Sequence, residues 1–246
     1  MDEMIEKRKA LTVIVASVIV ALAMGLGLSQ VGSGFASRSS EGIVVTGSAK
    51  VEAKADNVVW TLSVQNTGKT PGTAVSGIDA GINTLQKYLV DGGVKSDQLT
   101  LGSVSSYPTE EYINGNPTGR ILNYRAQREI TVRSKDVQLI SKLSQNIGTV
   151  IQSGVNVSNY GPQYYVSTLS KIRPELLKEA TKDAKLRAEA MTDAVGGKVG
   201  AITSVKAGPI QVTTPDSTMT SDMGMYDTSS IDKTVTATVT VTFKTN

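Results

Sequence analysis

The sequence predicts an α+β fold: an antiparallel sheet with a split βαβ core, an added helix and C-terminal strands, preceded by an N-terminal transmembrane helix. Three observations lead to this prediction. A long apolar run stands near the start of the chain, alternating apolar and polar runs follow it, and segments with helical apolar spacing lie between those runs. The predicted core has the order βαββαβ, which places both helices on one face of the sheet.

The apolar run extends from Ala10 to at least Leu28 without a charged residue. These nineteen residues, if helical, reach roughly 28 Å, which is close to the hydrocarbon thickness of a bilayer. Lys7, Arg8 and Lys9 directly precede the run and place the N-terminus in the cytoplasm by the positive-inside rule. Residues 1–9 are predicted to be a cytoplasmic N-terminus and residues 10–30 a transmembrane anchor or uncleaved signal. Residues 31–41 form a Gly- and Ser-rich linker, and residues 42–246 form an extracytoplasmic domain.

A cleaved signal peptide is the alternative to an anchor. Gly34-Phe35-Ala36 is a possible cleavage site, and cleavage there would give a secreted or periplasmic protein. However, the apolar region of a signal peptide usually has only about 7–15 residues, and its N-terminal part is plainly basic. Here Asp2, Glu3 and Glu6 offset the basic residues. We therefore expect a single-pass anchor, with membrane lipid as its partner.

The composition excludes several kinds of active site. The 246 residues include no Cys and no His, which removes Ser-His-Asp and Cys-His nucleophile systems and thiolate metal sites. The formal net charge of +3 is small and spread along the chain, and aromatic residues are scarce. We therefore expect no nucleic-acid binding, no cofactor and no metal.

The core is predicted to begin with a half-buried strand at residues 58–65, where apolar and polar side chains alternate. A helix should follow, because Thr70 and Pro71 supply an N-cap and a favourable first helical residue. The helix should stop at Gly92-Gly93. Its apolar stripe comprises Ile78, Ile82, Leu85 and Leu89.

The remaining core elements follow the same logic. A short strand at 99–104, a polar insert at 105–119 and a long strand at 121–133 are predicted from the pattern. Ser134 is the expected N-cap of a second helix, and the last core strand is expected at 155–165. The inner face of the second helix is predicted to contain Val137, Ile140, Leu143 and Ile147.

A third helix is predicted to begin at Pro174 and to end at Gly196-Gly197. Strands at 201–207 and 233–243 should close the chain. Together these elements either extend the core sheet or form an added lobe. The inward residues of the third helix are predicted to be Leu177, Ala180, Ala184, Ala188, Met191 and Val195.

Four segments of the sequence resemble the SIMPL domain family. They are "IVVTGSAKVEAKADNVVWTLSVQ", "NYRAQREITVR", "ELLKEATKDAKLRAEAMTDAVGGKVGAITSV" and "VTATVTVTF", so the resemblance extends from Gly42 to Phe243. The resemblance implies an exported bacterial protein. Relatives include periplasmic immunogens and proteins linked to oxidative-stress tolerance, and some form large, channel-like rings of identical subunits. It implies no reaction, because the family has no agreed catalytic residues.

The polar insert at 105–119 is predicted to form a protruding hairpin. Its turn should lie at Asn114-Gly115 or at Asn116-Pro117. Tyr107 and Tyr112 are candidate contact residues, because tyrosine is enriched at protein interfaces. Simple exposure to solvent is the alternative for either of them.

Three other motifs favour ordinary surface roles. The adjacent carboxylates Glu110-Glu111 lie on a loop, where such groups are normally solvated rather than catalytic. Met219, Met223 and Met225 are soft potential ligands, but a copper site without His or Cys would be weak. Gly196-Gly197-Lys198 lacks the spacing of a phosphate-binding loop and is interpreted as a helix stop.

The strand at 124–133 has a wholly polar side, formed by Arg125, Gln127, Glu129, Thr131 and Arg133. If helices cover the opposite side, the polar side faces either water or another subunit. The last strand alternates in the same way, with threonines on one side and Val235, Ala237, Val239, Val241 and Phe243 on the other. The residues predicted to form an oligomer contact are Tyr124, Arg125, Glu129, Arg133, Tyr107 and Tyr112.

Two classes of function fit these features. The first is a membrane-tethered, non-enzymatic domain that self-assembles into a ring or cage-like homo-oligomer with a structural, scaffolding or channel-like role at the cell envelope. The second is a stress-protective factor or enzyme, acting through exposed methionines that can be oxidised and reduced again. The first is favoured because the sequence supplies an anchor, a linker and a polar sheet face but no catalytic constellation.

Overall fold

The computed structural model describes residues 42–245. The predicted anchor, its basic flank Lys7, Arg8 and Lys9, and the linker lie outside the described residues. Within residues 42–245, no helix combines the length and the apolar character needed to cross a bilayer. Residues 48–180 and 207–239 form one compact unit, and the other described residues form a second.

Strands and helices make up most of the described chain. The strands are β1 Ile43–Lys54, β2 Asn57–Gly68, β3 Leu99–Leu101, β4 Ser105–Ile113, β5 Asn116–Ser134, β6 Val157–Asn159, β7 Gln163–Tyr165, β8 Val199–Ala207, β9 Gln211–Thr213, β10 Met225–Tyr226 and β11 Asp232–Thr245. The helices are α1 Pro71–Asp91, α2 Val137–Asn146, α3 Gly148–Gln152 and α4 Leu169–Asp193.

The first sheet has the strand order β3-β5-β2-β6, with β4 also paired to β5 and β7 also paired to β2. All of these pairings are antiparallel. This order is the one that two interleaved split βαβ units produce. The predicted α+β class and the antiparallel core sheet are therefore confirmed.

Helix α1 begins and ends where the sequence predicts. The Thr70 side chain accepts a hydrogen bond from the Thr73 backbone N–H at 3.2 Å, and the Thr73 hydroxyl accepts one from the Thr70 backbone N–H at 3.1 Å. This reciprocal capping box, with Pro71 as the first helical residue, satisfies backbone donors that otherwise lack partners. Gly92 is the C-cap. The Tyr88 hydroxyl then donates to the Leu143 carbonyl oxygen at 2.8 Å and ties α1 to α2.

The main core lies on one face of the first sheet. Alternate residues of β2, including Trp60 and Leu62, are fully buried there, and Ile130 and Val132 stand opposite them on β5. The inward stripes of α1 and α2 belong to the same cluster. The inner residues predicted for these two helices are all buried, namely Ile78, Ile82, Leu85, Leu89, Val137, Ile140, Leu143 and Ile147.

The added elements form a sheet of their own, with the order β1-β11-β9-β10 and with β8 paired to β11. The start of α4 packs on β9 and β11, where Leu176 contacts a cluster that includes Val212, Val235 and Ala237. The alternation predicted for β11 is confirmed, since its inward residues Val235, Ala237, Val239, Val241 and Phe243 are all buried.

Several predicted boundaries were wrong. The N-cap of α2 is Asp136, whose carboxylate accepts from the Leu139 N–H at 2.9 Å. The predicted cap, Ser134, ends β5, and its hydroxyl accepts from the Asp136 N–H. Pro174 lies inside α4 rather than at its start. The strand predicted at 155–165 is two short strands, because Gly161 breaks it with a φ of 83°.

Candidate functional site

The outer face of β5 presents the charges that the sequence predicts. Arg125, Glu129 and Arg133 are exposed, and none of them forms an ion pair with another residue in the described part of the chain. On the opposite side of the strand, Arg128 donates from Nε to the Gly102 carbonyl oxygen at 2.9 Å and approaches Asp79 at 3.7 Å. The charges on the outer face are therefore free for a partner, whereas Arg128 is used within the fold.

The polar face continues across β2 to β6. Thr61 stands opposite Thr131, and their hydroxyl oxygens are 3.3 Å apart. Gln65 donates from Nε2 to the Ser158 hydroxyl at 3.2 Å. These bonds order the polar side chains without covering them with apolar groups, so the face is regular and able to accept a second polar surface.

The hairpin predicted for the polar insert is present. β4 and β5 pair from Ser105 to Ile113, and Asn114 and Gly115 form the turn with φ angles of 54° and 82°. Two consecutive positive φ angles are typical of a type I′ turn, which matches the twist of the paired strands. Tyr107 and Tyr112 are 43% and 64% exposed on this hairpin, so both are available for contact.

Exposed apolar residues that were not predicted as contacts accompany these tyrosines. Ile113, Ile121 and Leu122 are 58%, 46% and 49% exposed on the same hairpin. The signal was present in "ILNYR", since two large apolar residues open the long strand before its polar alternation begins. Exposed apolar residues that are close together mark interaction sites more often than isolated ones do.

The adjacent carboxylates Glu110 and Glu111 lie on strand β4 of the hairpin, and the prediction that they lie on a loop was wrong. Glu111 accepts hydrogen bonds from Arg120 Nη1 at 3.2 Å and from the Thr118 hydroxyl at 3.1 Å. Glu110 is exposed. Glu111 therefore stabilises the hairpin, and the adjacent pair does not face a shared buried cleft of the kind that acid–base catalysis requires.

The methionine-rich segment lies on the surface. Met219 and Met223 are 65% and 95% exposed, and Met225 begins the short strand β10. Within residues 42–245, no group of three or more His, Cys, Asp or Glu residues is arranged to hold a metal ion. The exposed thioethers are accessible to oxidants, as expected for methionines on a surface loop.

A buried ion pair on β11 is a feature that sequence reasoning missed. The side chain of Lys233 is fully buried and donates from Nζ to the Asp227 carbonyl oxygen at 2.6 Å and to Asp227 Oδ1 at 3.2 Å. Burial raises the pKa of the Asp227 carboxyl, but hydrogen bonds from Ser229 and the charge of Lys233 outweigh burial and lower that pKa overall. The pair fixes the segment that leads into β11.

Comparison with known proteins identifies a family and no reaction. Residues 43–243 match the family described as "SIMPL: Protein of unknown function (DUF541)". No curated protein matches the chain.

Three solved structures resemble parts of the chain. The de novo designed protein Foldit4 is 12% identical, and the match covers 45% of this chain and 98% of that one, with a TM-score of 0.21. A hydantoinase/carbamoylase-family amidase from Burkholderia vietnamiensis is 15% identical over 59% of this chain and 33% of that one, with a TM-score of 0.26. A structure described as an aminohydrolase from methicillin-resistant Staphylococcus aureus is 14% identical over 57% of this chain and 39% of that one, with a TM-score of 0.23. At these TM-scores, none of the three likenesses carries an argument about this chain.

Proposed function

The chain belongs to the SIMPL family, and from that premise we propose that it is a membrane-tethered, non-enzymatic domain that assembles into a closed homo-oligomer outside the cytoplasm. The observation that supports this proposal is the surface where the exposed hairpin residue Tyr107 stands opposite Arg125, so that the hairpin adjoins the charged outer face of β5. It combines exposed apolar residues with charges that have no partner in the described chain. The role of the assembly is structural, scaffolding or channel-like.

The hairpin supplies the apolar part of the proposed contact. Tyr112, Ile113 and Leu122 are large side chains with about half or more of their surface exposed. Burying apolar surface against a second copy gains roughly 25 cal/mol for each Å² removed from water. Among residues 42–245, β4 pairs only with β5, so no strand of this part of the chain pairs with its other edge, and an unpaired strand edge favours association with another chain.

The charges on β5 set the register of the proposed contact. Arg125, Glu129 and Arg133 alternate in sign along the strand, at intervals of four residues. Charges that become buried at an interface must find opposite charges across it, or the contact is strongly disfavoured. One alignment of two such surfaces is therefore preferred over its neighbours.

A tether to the membrane favours assembly, and closure into a ring would limit its size. Identical domains held at one membrane by a short linker have a high effective concentration, so weak contacts become sufficient. If the contact joins this surface to a different patch of the next copy, it repeats from subunit to subunit, and the assembly stops growing only if the rotation closes a ring. We therefore expect a discrete oligomer rather than an open fibre.

Mass photometry of the full-length protein in detergent tests this proposal. The parent should form one discrete oligomer, and Arg125→Glu should shift the population towards smaller species at matched concentration and salt. Replacing residues 105–119 by a short turn should weaken assembly further. Arg173→Glu is the matched control, because Arg173 is exposed on α4, away from β5 and the hairpin, and the same charge reversal there should change nothing. The proposed position of the contact is wrong if Arg125→Glu and the variant without residues 105–119 both assemble as the parent does.

A further inference from the structure

A cleft of about 910 Å³ opens where the start of β2 meets the end of β5. Three basic side chains line it: Lys95 after α1, Arg133 on β5, and Lys135 before α2. None of the three forms an ion pair with a residue of the described chain. Asp136 is the acidic residue among those that line the cleft, so three positive charges and one negative charge leave a balance of +2.

A buried hydroxyl adds a neutral donor to the cleft wall. Ser134 is 7% exposed and lines the cleft. Its oxygen accepts hydrogen bonds from Gln98 Nε2 at 3.3 Å and from the Asp136 N–H at 3.0 Å. Its own proton has no acceptor among the described residues. A hydroxyl that already accepts two bonds can still donate one, and an anionic oxygen in the cleft would receive it.

Two acidic groups at or near the cleft accept hydrogen bonds from backbone and side-chain donors of the fold. Asp136 accepts from the Leu139 N–H at 2.9 Å as the N-cap of α2. Asp56 accepts from the Ser167 N–H at 2.7 Å and from the Ser167 hydroxyl at 2.6 Å. It attracts Lys135 without forming an ion pair. Both carboxylates keep their negative charge while they accept these bonds, and the charge of Asp56 acts on Lys135, so it offsets part of the positive charge at the cleft.

We propose that this cleft binds a phosphate group that carries two negative charges, either free phosphate or the terminal phosphate of a small monoester. Lys95 and Lys135 supply ammonium donors and Ser134 a hydroxyl donor, and the Arg133 guanidinium at the cleft wall adds a further positive charge. A phosphate group of this kind carries about −1.5 to −2 at neutral pH, so the three cations of the cleft attract it more strongly than they attract a singly charged group. A phosphodiester carries a single charge and fits less well.

This inference goes beyond the proposed assembly and is tested through different residues. Lys95 and Lys135 lie outside the hairpin and the β5 face, so their substitution should leave the oligomer unchanged. Arg133 lines the cleft and also belongs to the β5 face, and it is therefore left intact in the experiment. Mass photometry on the same samples separates loss of binding from loss of assembly.

Isothermal titration calorimetry of the full-length protein in detergent, in a phosphate-free buffer at low ionic strength, provides the test. Inorganic phosphate and glycerol 3-phosphate should each bind saturably, and glycerophosphoglycerol, a diester, should bind at least about tenfold more weakly. Lys95→Gln with Lys135→Gln should weaken the binding of inorganic phosphate by about tenfold or more. The matched control is Lys142→Gln with Lys171→Gln, which removes two exposed lysines that do not line the cleft.

Each possible result of the titration either supports or overturns the proposal. Saturable phosphate binding that the cleft double variant loses and the control variant keeps supports the proposal. No saturable heat with either phosphate, equal binding of parent and cleft variant, or tighter binding of the diester overturns it. If titration with sodium chloride at the same ionic strength produces the same heat as titration with phosphate, the proposal is also overturned, because that heat reports charge screening rather than a binding site.

Discussion

The ammonium group of Lys233 lies in the protein interior, and the carboxylate of Asp227 balances its positive charge. Lysine is almost never fully buried unless it is paired, because removing an ammonium group from water costs several kcal/mol. Here Nζ is held by both the carbonyl oxygen and a carboxylate oxygen of Asp227. Asp227 in turn accepts from the Ser229 N–H and hydroxyl, both at 2.9 Å. The segment before β11 is therefore held by electrostatics as well as by apolar packing.

Asp227→Asn should destabilise the protein by about 3 kcal/mol at neutral pH, because it leaves the buried ammonium of Lys233 without a counter-charge. Lys233→Met is the matched comparison. It removes the buried charge and leaves the Asp227 carboxylate, whose side chain is 31% exposed and bonded to Ser229. It should therefore cost less than Asp227→Asn. Urea denaturation monitored by circular dichroism measures both.

The same variants determine the acid dependence of stability. The folded pKa of Asp227 lies below its ordinary value of 3.8, so the ionised group stabilises the folded state. That contribution is complete above the unfolded pKa and is lost as the pH falls from about 4 through the lower folded value. Asp227→Asn should flatten the fall in stability over this range. An equal fall in the parent and the variant would show that Asp227 does not contribute.

The helix α4 shows how an element combines sequence periodicity with local chemistry. Its buried residues recur at intervals of four and comprise Leu176, Ala180, Ala184, Ala188 and Thr192. The predicted stripe instead continued through Met191 and Val195, which are exposed. Thr192 is buried in their place because its hydroxyl donates to the Ala188 carbonyl oxygen at 3.0 Å and so needs no water.

Ala184→Leu should destabilise the protein by roughly 1 to 3 kcal/mol, because a larger side chain overpacks a site where alanine has no exposed surface. Ala190→Leu is the control on the same helix, since Ala190 is exposed. It should have little effect. Equal denaturation midpoints for the parent and Ala184→Leu would show that this face is not tightly packed.

Elements with long, strong periodicity could be predicted from the sequence, and the others could not. β2, α1 and β11 each bury several large residues at regular spacing. β1 was missed because small residues such as Gly47, Ala49 and Ala53 occupy positions where a strand signal needs large ones. β9 and β10 have three and two residues, which is too few for any periodicity to appear.

The same physical limit applies to the candidate sites. The outer face of β5 was predictable because a single strand places all its members two residues apart. The phosphate cleft was not predictable, because Lys95, Arg133 and Lys135 belong to different segments and only the tertiary fold joins them. Likewise, nothing in the local pattern marks Lys233 as the partner of Asp227.

At the scale of the whole molecule, strand pairing between distant segments decides the architecture. β1 near the start of the domain and β11 at its end belong to the same sheet, although the entire βαββαβ core lies between them in sequence. Local patterns specify each strand but not its partner, and the sequence therefore left two placements open for the last helix and strands. These strands lie in a sheet with β1, separate from the core sheet, so they do not extend the core sheet.

Tethering determines whether the proposed assembly works in the cell. If the apolar run at residues 10–28 is retained, every domain stands at the same membrane within reach of a linker of 11 residues at 31–41, which spans at most about 40 Å when extended. If the run is cleaved, the domains dilute into three dimensions and the weak contacts of the hairpin lose the gain in effective concentration. Retention of the N-terminus is thus the premise on which the proposed role depends.

We predict that the mature protein keeps Met1 and remains with the membrane after carbonate extraction, because nineteen uncharged residues suffice to span the hydrocarbon layer. Intact-mass measurement of the extracted protein is the decisive readout, and a species that begins near Ser37 would show that the segment is a cleaved signal. Ile19→Arg places a charge at the centre of the run and costs about 2.5 to 3.5 kcal/mol of insertion free energy, so it should reduce the membrane-bound fraction. Ser29→Arg lies beyond the run, where a charge can reach the interface, and it should leave that fraction unchanged.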